Sequence, residues 1–460
     1  MDLRFLDRDD ETRRIRRALR DGAGALVVVY GRRRVGKSRL IDAAIDGPRV
    51  LYVGDDRDAS VQRADLSREM ARLVPRMADV VYPGWLELLD RFFAAAPQGT
   101  VLVIDELPSL VKQSPELPSV LQKICDRRDG IARRIVLCGS SQRMMQGLVL
   151  DATAPLYGRA REILKVEPLP APWIREALRT SDAVDAIERY AVWGGVPRYW
   201  ELARGFRTHA AALRELVLDP RGVLHREPER ILLDELETTA RAASVLALVG
   251  SGSRRMSEIA GRLGVPATSL SRPVARLVEL GFLSREIPFG VEERDAKRSF
   301  YRITDPFLAF WFRFVDRNRS LLAGGRVRDV EADVQRQLPQ HVAEIHEDLC
   351  RRALPALMGR STGIPRRWWG RGADGATHEV DVVATRGARE LVIGEVKRSL
   401  DAKEVEREVA RLEAIATTIP GGAARARAVV LFALRGTAVK QTRIGGARIV
   451  GADELLDALD

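Results

Sequence analysis

The chain has little of what builds covalent or zinc staples. Its 460 residues hold three cysteines, Cys125, Cys138 and Cys350, far apart and without CxxC or Cys/His ligand spacing. That spacing excludes a disulfide framework and a zinc ribbon, and it fits a reducing, cytoplasmic setting. Long apolar runs are also missing. None approaches the length that crosses a bilayer, and nothing near the first residue resembles an export signal, so a soluble chain with no membrane partner is expected. The sequence shows no internal repeat and no long low-complexity tract.

What is present suits several globular domains. Hydrophobic residues make up 46% and charged residues 30%, and a chain of this length exceeds one ordinary core. Lysine and arginine total 75 against 64 acids, a formal charge of +11. Such a surplus favours a polyanionic partner, DNA above all. The bland alternative is an arginine-rich surface that reflects coding bias.

From Ala25 to Leu169, short apolar runs ("ALVVVYG", "RVLYVGD", "TVLVIDELP", "RRIVLCGSS", "REILKVEPL") alternate with amphipathic helical patterns. That alternation predicts an α/β domain over 1–169, a parallel sheet covered on both faces. Residues 170–235 read as a helical lid attached to that sheet. Residues 236–325 give three short helices and two strands, "FLSREIP" and "RSFYRIT", the pattern of a winged helix-turn-helix, with Pro273 expected in the first turn of the third helix. The aromatic helix "DPFLAFWFRFVDRN" closes that unit and reads as packing. Residues 326–460 mix helices with strands "EVDVVAT", "ELVIGEVK" and "ARAVVLFAL", a second α/β domain.

"GRRRVGKS" satisfies G-x-x-x-x-G-K-[ST] directly after an apolar strand, the context of a true P-loop. Gly31, Arg32, Arg33, Arg34, Val35, Gly36, Lys37, Ser38 and Arg39 are therefore the expected nucleotide-binding stretch. Backbone amides would wrap the phosphates of ATP, Lys37 would reach the β- and γ-phosphates, and Ser38 would offer its hydroxyl to Mg2+. Asp105 and Glu106 end the strand "VLVIDE". Asp105 is expected to hold Mg2+ through water, and Glu106 to orient and deprotonate the attacking water. Ser140 and Ser141, at the next strand end, are candidates for sensing the γ-phosphate. Arg159 is a candidate for neutralising transition-state charge in its own site or in a neighbour's.

In these motifs, with "LCGSSQRMM", "PLYGRA", "GGVPRYW" and "DPFLAFWFRFV", the sequence resembles the archaeal-type ATPases of the AAA+/STAND group along nearly its whole length. The resemblance implies a P-loop ATPase core, a helical lid, a winged helix and a C-terminal nuclease-like domain of the restriction-endonuclease type. Ser140 stands where many related ATPases carry an asparagine.

In "THEVDVVATRGARELVIGEVKRS", Glu395 and Lys397 are two apart on one strand and share a face. Asp381 comes from the preceding strand. The set resembles the D…ExK site of PD-(D/E)xK nucleases. In that arrangement Asp381 and Glu395 would bind Mg2+, or Mn2+, and Lys397 would help deprotonate water or stabilise the charge that develops at phosphorus. Glu347 on "EIHEDLCRRAL" matches the helical acid that many such sites add, and Glu379 is an alternative ligand. The cations and tryptophans of "RRWWGRG" could meet a nucleic-acid backbone or simply cover the sheet.

The third helix of the winged unit would present Ser269, Ser271, Arg272 and Arg276 to a major groove. The reading is an ATP-hydrolysing protein that acts on DNA, with nucleotide state controlling a winged helix and a metal-dependent nuclease-like domain. A homo-oligomer is expected if Arg159 serves a neighbour. The alternative is a STAND-like switch whose C-terminal domain binds DNA or protein without cleaving.

Overall fold

The computed structural model describes residues 3–20, 24–236, 238–292, 294, 299–372, 374–435 and 443–460. Its compact units are two: Leu3–Leu169 with Arg230–Glu237, and Pro170–Glu229 with Thr238–Asp460.

The first unit is built on five parallel strands, β1 (Ala25–Tyr30), β2 (Arg49–Val53), β3 (Val101–Asp105), β4 (Arg134–Gly139) and β5 (Ala160–Lys165), in the order β2-β3-β4-β1-β5. Central strands such as "ALVVVY" are apolar at nearly every position because both faces are covered. Leu26, Val28, Leu102, Ile104, Ile135 and Leu137 pack with Leu66, Trp85, Leu88 and Phe92 on one face. Their sequence neighbours Val27, Val29, Val103 and Val136 pack with Ile15, Leu40 and Ile41 on the other. The period of two thus sends alternate residues into two separate cores. All the parallel strands end at one edge, where an open α/β sheet gathers its ligands.

The second unit begins with the helices of residues 170–229. The expectation of a lid belonging to the sheet is corrected here, because these helices pack with the C-terminal elements. The ring of Tyr199 lies 4.6 Å from that of Phe307, the Trp311 indole donates to the His225 carbonyl at 2.7 Å, and His341 meets the Ala191 carbonyl at 2.8 Å. Phe307, Phe310, Trp311, Phe312 and Phe314 are all buried, so the aromatic helix is core.

The winged unit has helices Ala240–Gly250, Met256–Leu263 and Ala267–Glu279, followed by the antiparallel pair β6 (Leu283–Glu286) and β7 (Phe300–Ile303). Pro273 lies inside the third helix, seventh from its start, and not in the first turn. A proline there forfeits a backbone hydrogen bond, a cost of about 3 kcal/mol. Burial of Leu270, Val274 and Leu277 against the neighbouring helices holds the helix in spite of it.

The last sheet contains β8 (Arg366–Arg371), β9 (Thr377–Arg386), β10 (Glu390–Lys397), β11 (Ala426–Ala433), β12 (Arg443–Ile444) and β13 (Ala447–Val450), in the order β12-β13-β11-β10-β9-β8. β9 runs antiparallel to its neighbours β8 and β10, while β10, β11 and β13 are parallel. Helix Ala402–Ala416 packs Val405, Leu412 and Ile415 onto Val383, Leu391, Ile393 and Leu431. The long helix Val327–Met358 lies along β9 and β10. The wing is fastened to this sheet: Phe300 stacks on Trp369 with centroids 4.3 Å apart, and Phe289 N–H donates to the Arg367 carbonyl at 2.9 Å. Trp368 is buried in the sheet core. The two tryptophans therefore cover the sheet and pin the wing.

Candidate functional site

β1 ends at Tyr30 and the chain turns at Gly31, where φ is 149° and an added Cβ would stand 2.4 Å from the Val166 carbonyl oxygen. Arg34 (φ 68°) and Gly36 (φ 97°) complete the curve into helix Lys37–Ala44. A Cβ on Gly36 would meet nothing within 4 Å, so the space beside this glycine is open. The loop's backbone amides and the positive end of the helix suit phosphate. Lys37 is buried, and its Nζ donates to the Gly31 and Arg32 carbonyls at 2.9 and 3.1 Å, which stretches the cation across the loop. Val35 is fully buried beneath it.

Not every side chain of the expected stretch faces a nucleotide. Arg33 pairs with Asp234 at 3.1 Å, and Arg39 donates to the Leu3 carbonyl at 2.7 Å. The loop therefore offers its backbone, Lys37 and Ser38.

Ser38 Oγ donates to Asp105 Oδ2 at 2.9 Å, so the two oxygens expected at Mg2+ are already neighbours. A hard cation that keeps several waters fits between such donors. Asp105 Oδ1 accepts the Glu106 N–H at 2.9 Å. Glu106 is a non-glycine residue in the left-handed region, φ 53°, and its Oε2 accepts from Ser140 Oγ at 2.9 Å. Gly54 makes room for this turn: a Cβ there would meet the Glu106 carbonyl oxygen at 3.0 Å. Ser141 has a different task, capping a short helix through the Met144 N–H at 3.4 Å.

Arg159 lies elsewhere. It precedes Ala160, which pairs with Leu26 at the start of β1, whereas the P-loop follows the end of that strand. At about 3.3 Å per residue the separation is on the order of 15 Å. Its guanidinium is held by Asp126 at 2.9 Å and by the Pro155 carbonyl at 2.9 Å. An action of Arg159 in its own active site is thereby corrected.

In the C-terminal sheet, the β9–β10 ladder stops at Val382–Gly394. Asp381 and Glu395 are the next facing positions, where the strands part. Asp381 Oδ2 accepts the Val396 N–H at 3.0 Å. Lys397 Nζ donates to Glu395 Oε1 at 3.0 Å, and Arg411 reaches Glu395 Oε2 at 2.7 Å. Glu408 Oε2 accepts from Arg411 at 2.7 Å. Burial and the charge of Asp381 raise Glu395 above the ordinary carboxylate range, against Arg411 and Lys397. Burial works against the Lys397 ammonium, yet Glu395 and Glu408 hold it above its ordinary value. A lysine so placed stabilises negative charge and is a poor base.

Among the described residues, no three His, Cys, Asp or Glu side chains come together closely enough to hold a metal ion. Of the expected ligands, Glu347 is turned onto Arg367, and the alternative ligand Glu379 pairs with the same arginine at 3.2 Å.

Comparison with known proteins finds likenesses along most of the chain. Residues 5–201 match a family model described as an ATPase domain predominantly from Archaea. This segment is thus similar to archaeal-type ATPase domains. Residues 238–286 match an IclR helix-turn-helix domain, and residues 311–408 match a model of archaeal and bacterial proteins of unknown function. An uncharacterized protein of Methanocaldococcus jannaschii is 26% identical over 422 residues, covering 88% of this chain and 91% of its own length. Among solved structures, a Walker-type ATPase of Pyrococcus abyssi is similar with a TM-score of 0.53 and 19% identity, over 67% of this chain and 96% of that one. That likeness is one of fold.

Around the P-loop cradle, no sequence signal pointed to Arg8 or to the segment Arg230–Glu237. Arg8 is buried and donates to the Glu167 carbonyl at 2.6 Å. Glu235, also buried, accepts the Gln142 and Arg143 N–H groups at 3.0 and 3.3 Å. Around the C-terminal sheet the missed residues are Arg351, Glu408 and Arg411, all on the helices that cover it. The only available signal was the spacing of Glu408 and Arg411, three apart on an amphipathic helix that also buries Val405 and Leu412. On the helix-turn-helix, Ser269, Ser271 and Arg272 are exposed, whereas Arg276 is turned onto Glu279 at 2.6 Å. No helix among the described residues is long and apolar enough to cross a membrane.

Proposed function

We propose that this protein hydrolyses ATP with Mg2+ and uses its nucleotide state to govern the handling of DNA by the winged helix and the C-terminal sheet. The observation that carries the reading is the linked set Ser38–Asp105–Glu106–Ser140 beside the open P-loop. Ser38 and Asp105 would hold Mg2+, which supplies charge neutralisation at the phosphates. Glu106 would orient and deprotonate water, and Lys37 would bind the phosphate oxygens. A route for control is supported by Asp234 and Glu235. One pairs with Arg33 of the P-loop and the other caps the helix that follows Ser140, just before the chain enters the winged unit at Thr238.

The basic composition and the helix-turn-helix support DNA as the partner. Asp381 and Glu395, facing one another where two strands part, support a PD-(D/E)xK-type cleavage centre. They would hold a divalent cation, Mg2+ or Mn2+, whose chemistry is activation of water and stabilisation of a departing oxygen. A second reading, a switch whose C-terminal sheet binds without cleaving, is favoured by one observation: Glu395 is already met by Lys397 and Arg411, and Glu347 by Arg367.

The test incubates plasmid DNA with Mg2+ or Mn2+, with and without ATP, and compares Asp381→Ala. Cleavage lost in that variant supports the nuclease reading. DNA binding without cleavage moves the conclusion to the switch. ATP turnover unchanged in both Lys37→Ala and Glu106→Gln would refute the reading as a whole.

A further inference from the structure

A cavity of about 430 Å³ opens between the wing and the C-terminal sheet. Arg285, Arg302, Arg351, Arg352, Arg366 and Arg367 line it, against Glu286 and Asp348. The two acids are consumed within the wall. Asp348 accepts from Arg302 and, at 2.6 Å, from Arg352, and Glu286 stands 3.1 Å from Arg302. Cationic groups are left over. The Arg351 side chain is 8% exposed, and its Nη2 makes no hydrogen bond; Glu286 and Asp348 lie 3.9 and 4.0 Å away. Arg285 is anchored through Nε on Ser299 at 2.8 Å, while its buried Nη2 has no hydrogen-bond partner. A buried guanidinium N–H without an acceptor is costly, and an anion is the natural remedy.

From this geometry we infer that the cavity is a phosphate-binding subsite that takes a phosphodiester group of a nucleic-acid backbone. The planar guanidinium fork matches phosphate oxygens, and the volume suits a nucleotide-sized group. The position matters as much as the charge. Arg351 Nη1 donates to the main-chain oxygen of Asp381 at 3.1 Å, and Arg367 holds Glu347 and Glu379. A strand gripped here, with the wing on one side, is delivered to the point where Asp381 and Glu395 face one another. The inference rests on the proposed action on DNA but not on cleavage. Free inorganic phosphate shares the chemistry and is the competing source.

The experiment uses the full chain in a Lys37→Ala background, which disables the P-loop as a second phosphate site, and in EDTA, so that cleavage cannot intervene. A short fluorescein-labelled DNA duplex and its single strand are titrated by anisotropy, and inorganic phosphate is titrated by shift in melting temperature. Arg351→Gln removes the buried cation and Arg285→Gln the one on the wing. Each is expected to raise the Kd for DNA about tenfold and to flatten its salt dependence by about one phosphate contact. If phosphate raises the melting temperature of the parent but of neither variant while DNA affinity stays equal, the subsite stands and its ligand is free phosphate. Unchanged DNA affinity together with an unchanged phosphate response overturns it. Should Arg351→Gln fail to fold, Arg285→Gln carries the comparison. Absence of cleavage in the plasmid experiment with Mg2+ or Mn2+, alongside weakened DNA binding in these variants, would retire the nuclease and leave the subsite.

Discussion

Ser140 Oγ donates to Glu106 Oε2 across 2.9 Å, and the Ser140 N–H approaches the same oxygen at 3.4 Å. Glu106 itself is held at φ 53°, a conformation that costs a non-glycine residue on the order of 1 kcal/mol and that persists only where its surroundings enforce it. The serine therefore positions the carboxylate that would meet water. Glu106→Gln is expected to lower kcat for ATP by roughly a hundredfold or more while nucleotide binding survives. Ser140→Ala should lower kcat about tenfold with KM little changed, and Ser140→Asn should recover most of the loss, because an amide can hold the same oxygen. Steady-state turnover of the three variants decides the matter. Equal effects on kcat and KM for Ser140→Ala would deny it the positioning role.

Arg159 sits at the opposite end of β1 from the P-loop, in a cavity of about 1080 Å³ with Arg128, Arg133 and Arg161. Any contribution it makes to hydrolysis must reach the nucleotide of another copy. Arg159→Ala alone and Lys37→Ala alone are expected to be nearly inactive. Mixed in equal amounts, they should recover a measurable fraction of turnover, since each mixed contact can join one intact P-loop to one intact arginine. No recovery across a range of protein concentrations would remove Arg159 from the chemistry.

These two sites show what a sequence can and cannot disclose. β1, β3 and β4 were legible because a strand covered on both faces must be apolar throughout, and the charged residues at their ends then stand out as chemistry. Glu395 and Lys397 were legible for the same reason, as polar positions on an otherwise buried strand. The partner of helices 170–229 was not, because an amphipathic face announces that something covers it without saying what. Pro273 misled because local propensity yielded to the burial of Leu270, Val274 and Leu277. Of the arginines between the wing and the sheet, Arg366 and Arg367 stood out beside their tryptophans, whereas Arg285, Arg302 and Arg351 did not, since a half-buried ionic network reads in sequence like a solvated face.

That network yields a stability prediction. Arg302, on β7, pairs with Asp348 on the long helix and with Glu286 on β6. Removing it leaves Glu286 without its nearest cation and Asp348, also half-buried, with Arg352 at 2.6 Å as its remaining close partner. Arg302→Met should therefore destabilise the C-terminal unit by about 3–5 kcal/mol. Adding Asp348→Leu should return part of the loss, since the charge left unpaired is then gone as well. Urea unfolding followed by tryptophan fluorescence reads both. A single variant as stable as the parent would mean the wing is held by contacts such as the Phe300–Trp369 stack and the Phe289–Arg367 hydrogen bond and not by this ion network.

Glu347 supplies a prediction with a sign that depends on pH. Burial pushes its carboxyl up to about 7, with Arg367 opposing the rise and the charge of Asp381 adding to it. A carboxyl whose folded value lies above its ordinary one of 4.5 binds its proton more tightly in the fold than in the unfolded chain. Its contribution to stability is complete below about 4.5 and is lost as pH rises through about 7. Glu347→Gln keeps the neutral shape and removes the titration. The melting temperature of the variant relative to the parent should therefore be higher at pH 8 than at pH 5. The same difference at both values would show that Arg367 holds Glu347 ionised throughout. A bound divalent cation would offset the charge of Asp381 and so bring the Glu347 carboxyl down toward its ordinary range, and Mg2+ or Mn2+ is therefore expected to narrow the gap at pH 8. Asp381→Ala should narrow it without any metal.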